Sequence, residues 1–231
     1  MTATDHERCL WALAQLFAED GEILASPMGP EPQRAASLCR RFLNPDLMMT
    51  DGVAHLVNSD GVIEGPMNYA RIFETLWGGK RHVLMGASQL DRFGNQNISC
   101  IGNHHQPKVQ LLGVRGAPGN TLNHRTSYWV PKHSSRVFVT SVDVVSGVGT
   151  DHADQLSPSN RQFFDLHRVV SDLGVMDFGG SQRSLRLVQI QPDIDVDIVR
   201  EKTGFELGVA DDLCVMPDPP ERVLRWLRSD P

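Results

Sequence analysis

Two spacings of apolar residues alternate along the first 85 positions, and that alternation limits the folds open to the chain. Leu10, Leu13, Ala14 and Phe17 recur at helical spacing behind Thr4-x-x-Glu7, which has the form of a capping box. A short apolar run, Ile23-Leu24, then stops at a Pro/Gly turn. PQRAASLCRRFL predicts a second helix that ends before Asn44-Pro45, because a residue preceding proline is pushed out of helical geometry. A strand is expected from Asp46 to about Met49. GPMNYARIFETLWGGK predicts a third helix, with Pro66 in its first turn, Tyr69, Ile72, Phe73 and Leu76 on a core-facing stripe, and Gly78-Gly79 at its end. RHVLMGASQL reads as a strand that leaves into a loop, and DRFGNQ as a turn.

Further along, strands dominate. VQLLGV reads as a buried strand, RVFVTSV and LHRVVS as β-rich runs, and SLRLVQI as an alternating strand. DVDIVREKTG predicts a short helix closed by Gly204, PDPPERVLRWLRS an amphipathic helix, and residues 147–164 a surface loop. Helices and strands that alternate in this way predict an α/β fold, with a mainly parallel sheet flanked by helices, as a single domain over residues 1–231. A chain of 231 residues is long enough to bury a substantial core.

Composition excludes several classes of function. A net charge of −6 is not the basic footprint of a nucleic-acid binder. No apolar run is long enough to span a membrane, and the N-terminus lacks the basic and apolar regions of a signal peptide, so a cytoplasmic location is expected. Cys9, Cys39, Cys100 and Cys214 are too scattered for a zinc knuckle or a disulfide framework, and are expected to be isolated buried thiols. Adjacent His104-His105 do not make a metal site, so no metal is expected.

In open α/β sheets, ligands bind at the carboxyl ends of strands. Three strand-end loops are rich in small and polar residues: Thr50-Asp51-Gly52, residues 86–97, and residues 115–124. In GVRGAPGNTLNH, glycines at 113, 116 and 119 let the backbone pass close to a ligand and aim amides at an anion or oxyanion. The spacing is neither GxGxxG nor a P-loop, so nucleotide cofactors of those types are not indicated. No G-x-S-x-G elbow supports a self-contained serine hydrolase.

Four ordered segments carry a resemblance. MGASQLDRFGNQNIS (85–99), then RGAPGN, then RVFVTSVD, then VREKTGFELGV are similar to the β subunit of family I CoA-transferases over residues 46–216. The resemblance implies an α/β domain paired with a similar α subunit, and an active site at their junction. That family's nucleophile is a glutamate two residues before a glycine. With Gly52 as the anchor, the equivalent position here is Thr50, so the transferase nucleophile is missing. IEGPMNYARIFETL, GNTLNHRTSYWV and VVSDLGVMDFGG are similar to a hydrolase branch that opens the last steroid rings in bacterial cholesterol breakdown. That branch implies hydrolytic C–C cleavage of a cyclic keto CoA ester, an essential glutamate on the α subunit, an α2β2 assembly, and no cofactor, since CoA belongs to the substrate.

Such a reaction needs a base for water, donors for the oxyanion, and stabilisation of a departing enolate thioester. The oxyanion role is assigned to the backbone around Gly116, Ala117, Gly119 and Asn120. Thr50, Asp51, Gly52, Asn97, Arg115, Asn123, His124, Arg125 and Tyr128 are assigned to substrate and CoA binding. The asparagines are candidates to orient the thioester carbonyl or the water, either arginine to hold a substrate carboxylate, and Tyr128 to close the pocket. By residue type alone, each asparagine and Tyr128 has an equally ordinary structural reading, and Trp129 is expected in the core. Two rivals remain: a transferase in which Asp51 replaces the glutamate, and a silent partner that completes the α subunit. Glu64 is a further, remote candidate for a relocated carboxylate.

Overall fold

The computed structural model describes residues 2–51, 53–76 and 78–229, apart from the side chains of Tyr69, Phe73 and Thr75. The chain divides into two compact units, Met1–Met85 with Met216–Pro231, and Gly86–Val215.

The first unit starts with α1 (Asp5–Gln15), and its expected capping box is present. Thr4 Oγ1 accepts the Glu7 amide at 3.2 Å, and the Glu7 carboxylate accepts the Thr4 amide at 2.8 Å. Next come β1 (Leu24–Pro27), α2 (Pro30–Phe42), β2 (Met48–Thr50), β3 (His55–Val57), β4 (Ile63–Pro66), α3 (Tyr69–Thr75) and β5 (Arg81–Met85). The strand order in this unit is β4-β3-β2-β1-β5. β2, β1 and β5 are parallel, while β3 and β4 fold back antiparallel beyond β2. β5 is buried along its whole length, as a parallel strand covered on both faces should be. Its polar residues are satisfied inside: His82 Nδ1 lies 2.6 Å from Asp20 Oδ2, and Arg81 Nε donates to Ser26 Oγ at 3.1 Å. Pro66 ends β4 instead of opening α3, because the Asn68 side chain caps that helix on the Ala70 amide. Ile72 on the expected stripe is buried, whereas the side chains of Tyr69 and Phe73 lie outside the described residues.

The second unit holds two small hairpins, β6 (Gln89–Leu90) with β7 (Gln96–Asn97), and β8 (Cys100–Asn103) with β9 (Gln106–Gln110). After them come α4 (Ala117–Asn123), β10 (Arg125–Val130), α5 (Thr150–Ala153), β11 (Asp165–Ser171), β12 (Gly174–Asp177), β13 (Arg186–Ile190), α6 (Val196–Glu201) and β14 (Gly208–Val215). The order is β14-β13-β12-β11-β10, parallel at β10–β11 and β13–β14 and antiparallel between them. Tyr128, Val130, Val169, Val170, Met176 and Leu187 form its core. Finally α7 (Glu221–Ser229) lies in the first unit, where Arg228 bonds the Glu7 carboxylate at 2.6 and 2.8 Å and Arg34 Nη2 donates to the Leu227 carbonyl.

Several expectations need correction. VQLLGV is not a buried strand: β9 is the exposed half of a hairpin that ends at Gln110, and Leu112 beyond it is exposed. RVFVTSV forms no strand. Phe138 alone bridges to Leu90, and its fully buried ring stacks on His133 at 3.9 Å, so one aromatic anchor holds the segment instead of a ladder. The 147–164 segment contains α5, with Thr150 and Ala153 buried, and only 157–163 is uniformly exposed. Cys9, Cys39 and Cys100 are buried thiols as expected, but Cys214 is exposed on β14.

Candidate active site

The chemistry of the first unit is concentrated where β2 ends. Thr50 is buried and pairs with Leu56 of β3. Asp51 then closes a tight turn, its amide bonded to the His55 carbonyl at 3.0 Å. Asp51 Oδ1 accepts the amides of Val53 at 2.8 Å, Ala54 at 2.8 Å and His55 at 3.0 Å. Its Oδ2 lies 2.9 Å from His55 Nδ1. The His55 amide foremost, then the Val53 amide, the His55 side chain and the Ala54 amide hold the Asp51 carboxyl well below the usual carboxylate range. A carboxylate stabilised in this way is a weak nucleophile, which counts against Asp51 as a substitute for the missing glutamate. Gly52 lies outside the described residues. Glu64, the remote alternative, is held in a two-pronged fork by Arg40 at 2.7 Å on each oxygen.

In the second unit, α4 lies inside the glycine segment itself. Gly116 is its N-cap, and Ala117, Asn120 and Thr121 face inward. The Ala117 amide is bonded to Val114 O, the Asn120 amide to Gly116 O, and Pro118 has no N–H. Gly116 and Gly119 therefore supply the remaining amides of the 116–119 stretch. Beyond its chain neighbours and its own helix backbone, nothing comes within 4 Å of a side-chain carbon placed on Gly119, and on Gly116 the nearest atom beyond its chain neighbours is Asn120 Nδ2 at 3.8 Å. Arg115 sits just before the helix with φ of 49°, a left-handed conformation rare for a residue with a side chain. Asn123 is exposed and donates to Gly119 O at 2.9 Å.

His124 caps the end of α4 and is buried, and Arg125 opens β10, because the chain turns directly from helix to strand there. Arg125 Nε forms a 2.7 Å ion pair with Asp165, its register partner on parallel β11. Tyr128 is fully buried, and its hydroxyl donates to Gly94 O at 3.4 Å. Burial, and behind it the charge of Asp91, pushes that hydroxyl above its ordinary range, so it stays protonated in the core beside Trp129.

The 85–99 segment forms a buried polar network. Asn97 Nδ2 donates to Gln89 Oε1 at 2.7 Å and to Cys100 O at 2.8 Å, and its Oδ1 accepts the Ser99 amide at 2.9 Å. Gln89 in turn donates to Asp143, which also accepts the Gly102 amide of the β8–β9 hairpin. Asp91 accepts the Phe93 and Asn95 amides and the Asn95 side chain, which also reaches Asp151. Burial, with Asp151 adding to it, raises the Asp91 pKa. A cavity of about 500 Å3 opens beside this turn, lined by Asp91, Phe93, Asn95, Asp151, His152 and Phe205 among others. None of the described residues assigned to substrate or oxyanion binding lines it. Sequence reasoning missed this cavity, and it missed His55, whose only signal was its place four residues after Asp51 in a turn.

No protein-family model matches the chain. It is 47% identical over 232 residues to the "Cholesterol ring-cleaving hydrolase IpdB subunit" of Rhodococcus jostii (strain RHA1), with 98% of this chain and 91% of that protein covered. Among solved structures it matches Rhodococcus jostii RHA1 IpdAB with a TM-score of 0.92 and 46% identity, over 99% of this chain and 94% of that one. Glutaconate coenzyme A-transferase from Acidaminococcus fermentans matches at a TM-score of 0.80 and 20% identity, over 99% of this chain and 95% of that one, a likeness of fold alone.

Proposed function

We propose, given that this chain belongs to the family of cholesterol ring-cleaving hydrolase IpdB subunits, that it is the β subunit of a heteromeric acyl-CoA hydrolase that cleaves a C–C bond in a cyclic keto CoA ester of late steroid breakdown. One observation carries this: identity near one half runs along 98% of the chain. The α/β units are those of a CoA-transferase fold, and the partner is an α subunit. The transferase nucleophile is replaced by Thr50, and the neighbouring Asp51 is committed to its turn.

In the proposed reaction, water adds to the ring ketone, the C–C bond breaks towards the thioester, and the enolate is protonated. Amides of Gly116 and Gly119 are assigned to the oxyanion, where one well-aimed donor contributes about 3–4 kcal/mol. Asn123 and Arg115, exposed beside them, are assigned to the substrate's polar groups. Arg125, Asn97, Asn120, His124 and Tyr128 are assigned to holding this frame, in keeping with their burial or their ion pair. We further propose that residues 1–231 act as one β-subunit domain in an α2β2 enzyme in the cytoplasm, with no cofactor beyond the substrate's CoA. No helix among the described residues is long and apolar enough to cross a membrane.

The test uses the co-expressed α and β chains in water enriched in oxygen-18. The label is expected in the new carboxylate of the product, with no acyl or CoA adduct on any peptide of this chain. An adduct on Asp51 found by peptide mass spectrometry overturns the hydrolase in favour of a transferase.

A further inference from the structure

The chain carries a net charge of −6 and 28 acidic residues, yet from Arg92 to Val142 it contains no aspartate or glutamate. The same stretch holds six lysines and arginines, of which Arg125 alone makes an ion pair among the described residues. Its middle is an exposed projection. The β8–β9 hairpin closes at the Asn103–Gln106 pair, and His104, His105 and Lys108 are exposed on it. His104 touches Cys100 Sγ at 3.9 Å and meets the His105 ring edge-on. The carboxylate bonded to this hairpin, Asp143, is already engaged: its Oδ2 accepts the Gly102 amide and the Gln89 side chain, each at 2.9 Å. Past the hairpin, Gly113 at φ 84° and Arg115 at φ 49° bend the chain into α4. Glycine would hold position 115 without strain, so the arginine is kept there at a cost, which points to a use for its side chain. Its Nε reaches only the Leu112 carbonyl, at 3.4 Å, and no carboxylate pairs with it among the described residues.

We propose that the β8–β9 hairpin and Arg115 form the subsite for the phosphates of the substrate's CoA, with Lys108 and Arg115 as charge partners and His104 and His105 as further N–H donors. The inference rests on the acyl-CoA reading above. A chain of net negative charge repels a polyanionic ester, and a long run free of carboxylates reverses the field where that ester docks. Bonds from ammonium or guanidinium to phosphate are charge-assisted, and arginine can hold a phosphate with two parallel N–H groups. The spacing also fits. CoA carries its thioester and its phosphates at opposite ends of a long flexible arm. Strand β9 covers about 14 Å from Gln106 to Gln110 at ~3.4 Å per residue, and the chain then turns through Arg115 into the Gly116–Gly119 stretch assigned to the oxyanion. A thioester seated on that stretch leaves its phosphates to the strand that leads there.

The experiment uses the co-expressed α/β holoenzyme, free CoA in calorimetry, and a cyclic β-keto acyl group carried either on CoA or on pantetheine, which lacks the phosphates. The variants are Lys108→Gln and Arg115→Gly. Glycine accepts the left-handed φ at 115, so the melting temperature is not expected to fall. Each variant should raise KM for the CoA ester, and the dissociation constant of free CoA, on the order of fivefold, as for an exposed ion pair, with kcat little changed. The double variant should raise both by about 25-fold if the two effects add. Added salt should weaken CoA binding more steeply in the wild type than in the double variant. With the pantetheine thioester, wild type and variants should share one KM. Variants that bind CoA as the wild type does overturn the proposal, as does a loss of equal size with the pantetheine thioester. A defect seen only as failure to assemble with the α subunit also overturns it, and assigns the hairpin to subunit contact. Failure of the hydrolase reading shows separately, as CoA binding that depends on Lys108 and Arg115 in an enzyme that puts no solvent oxygen into its product.

Discussion

His133 shows what a single buried residue contributes. Its Nδ1 meets Ser171 Oγ and its Nε2 meets Thr203 Oγ1, each at 3.0 Å, and its ring stacks on Phe138. Burial, assisted by the Lys202 charge, pulls its pKa down to about 4. The unfolded chain takes up this proton near pH 6.5 and the folded one only near 4, so the stabilisation is complete above 6.5 and is lost as pH falls from 6.5 towards 4. The shift corresponds to about 3 kcal/mol. His133→Gln should remove a comparable part of the stability change over that window in urea titrations at stepped pH. The same scale decides the glycines of α4. Because little or nothing in the fold blocks a side chain at Gly116 or Gly119, valine at either should leave the melting temperature nearly unchanged. Turnover should nevertheless fall by about 100-fold, as for a lost oxyanion donor. Normal turnover in a folded variant would remove this stretch from the site.

At the scale of elements, local signals predicted helices better than strands. The Thr4–Glu7 box and the amphipathic spacing of α1 act within one or two turns, so they read directly from the sequence. The 136–142 segment has strand-forming residues, but a ladder needs a partner, and the available partner met it only at Phe138. Docking of α7 also depends on distant partners. Arg228 holds Glu7 so firmly that the carboxyl pKa falls to about 2, against the opposing effect of burial. This contribution is complete above about pH 4.5 and is lost as pH falls from there towards 2. Arg228→Met should therefore lower the melting temperature at neutral pH and reduce its decline between pH 4.5 and 2, measured by circular dichroism. An unchanged acid profile would show that the pair adds nothing.

At the scale of the whole molecule, exposed apolar side chains stand on several elements, Ile198 on α6 and Val215 on β14 among them. Val62 and Ile63 border β4, and Val109 and Leu112 accompany β9. Apolar surface of this kind is expected to be covered by a partner. Expressed alone, the chain should be inactive and prone to association, and co-expression with the α subunit should yield a soluble, active heteromer by size-exclusion chromatography. A stable, active monomer would contradict the subunit assignment. The sequence by itself determined the alternation of α and β elements, the capped first helix, and the lack of a glutamate two residues before Gly52, because period, capping and residue identity are local properties. It also pointed to residues 85–99, whose asparagines and glycine are required by a buried turn. Only the tertiary structure decided which polar residues are already committed. Arg125 meets Asp165 across forty residues of sequence, Tyr128 is enclosed in the core, and Asp51 turns its carboxylate onto three amides and the His55 ring. The reason is physical: hydrogen bonds and burial between residues distant in the chain depend on strand register and turn geometry, which no residue type encodes alone.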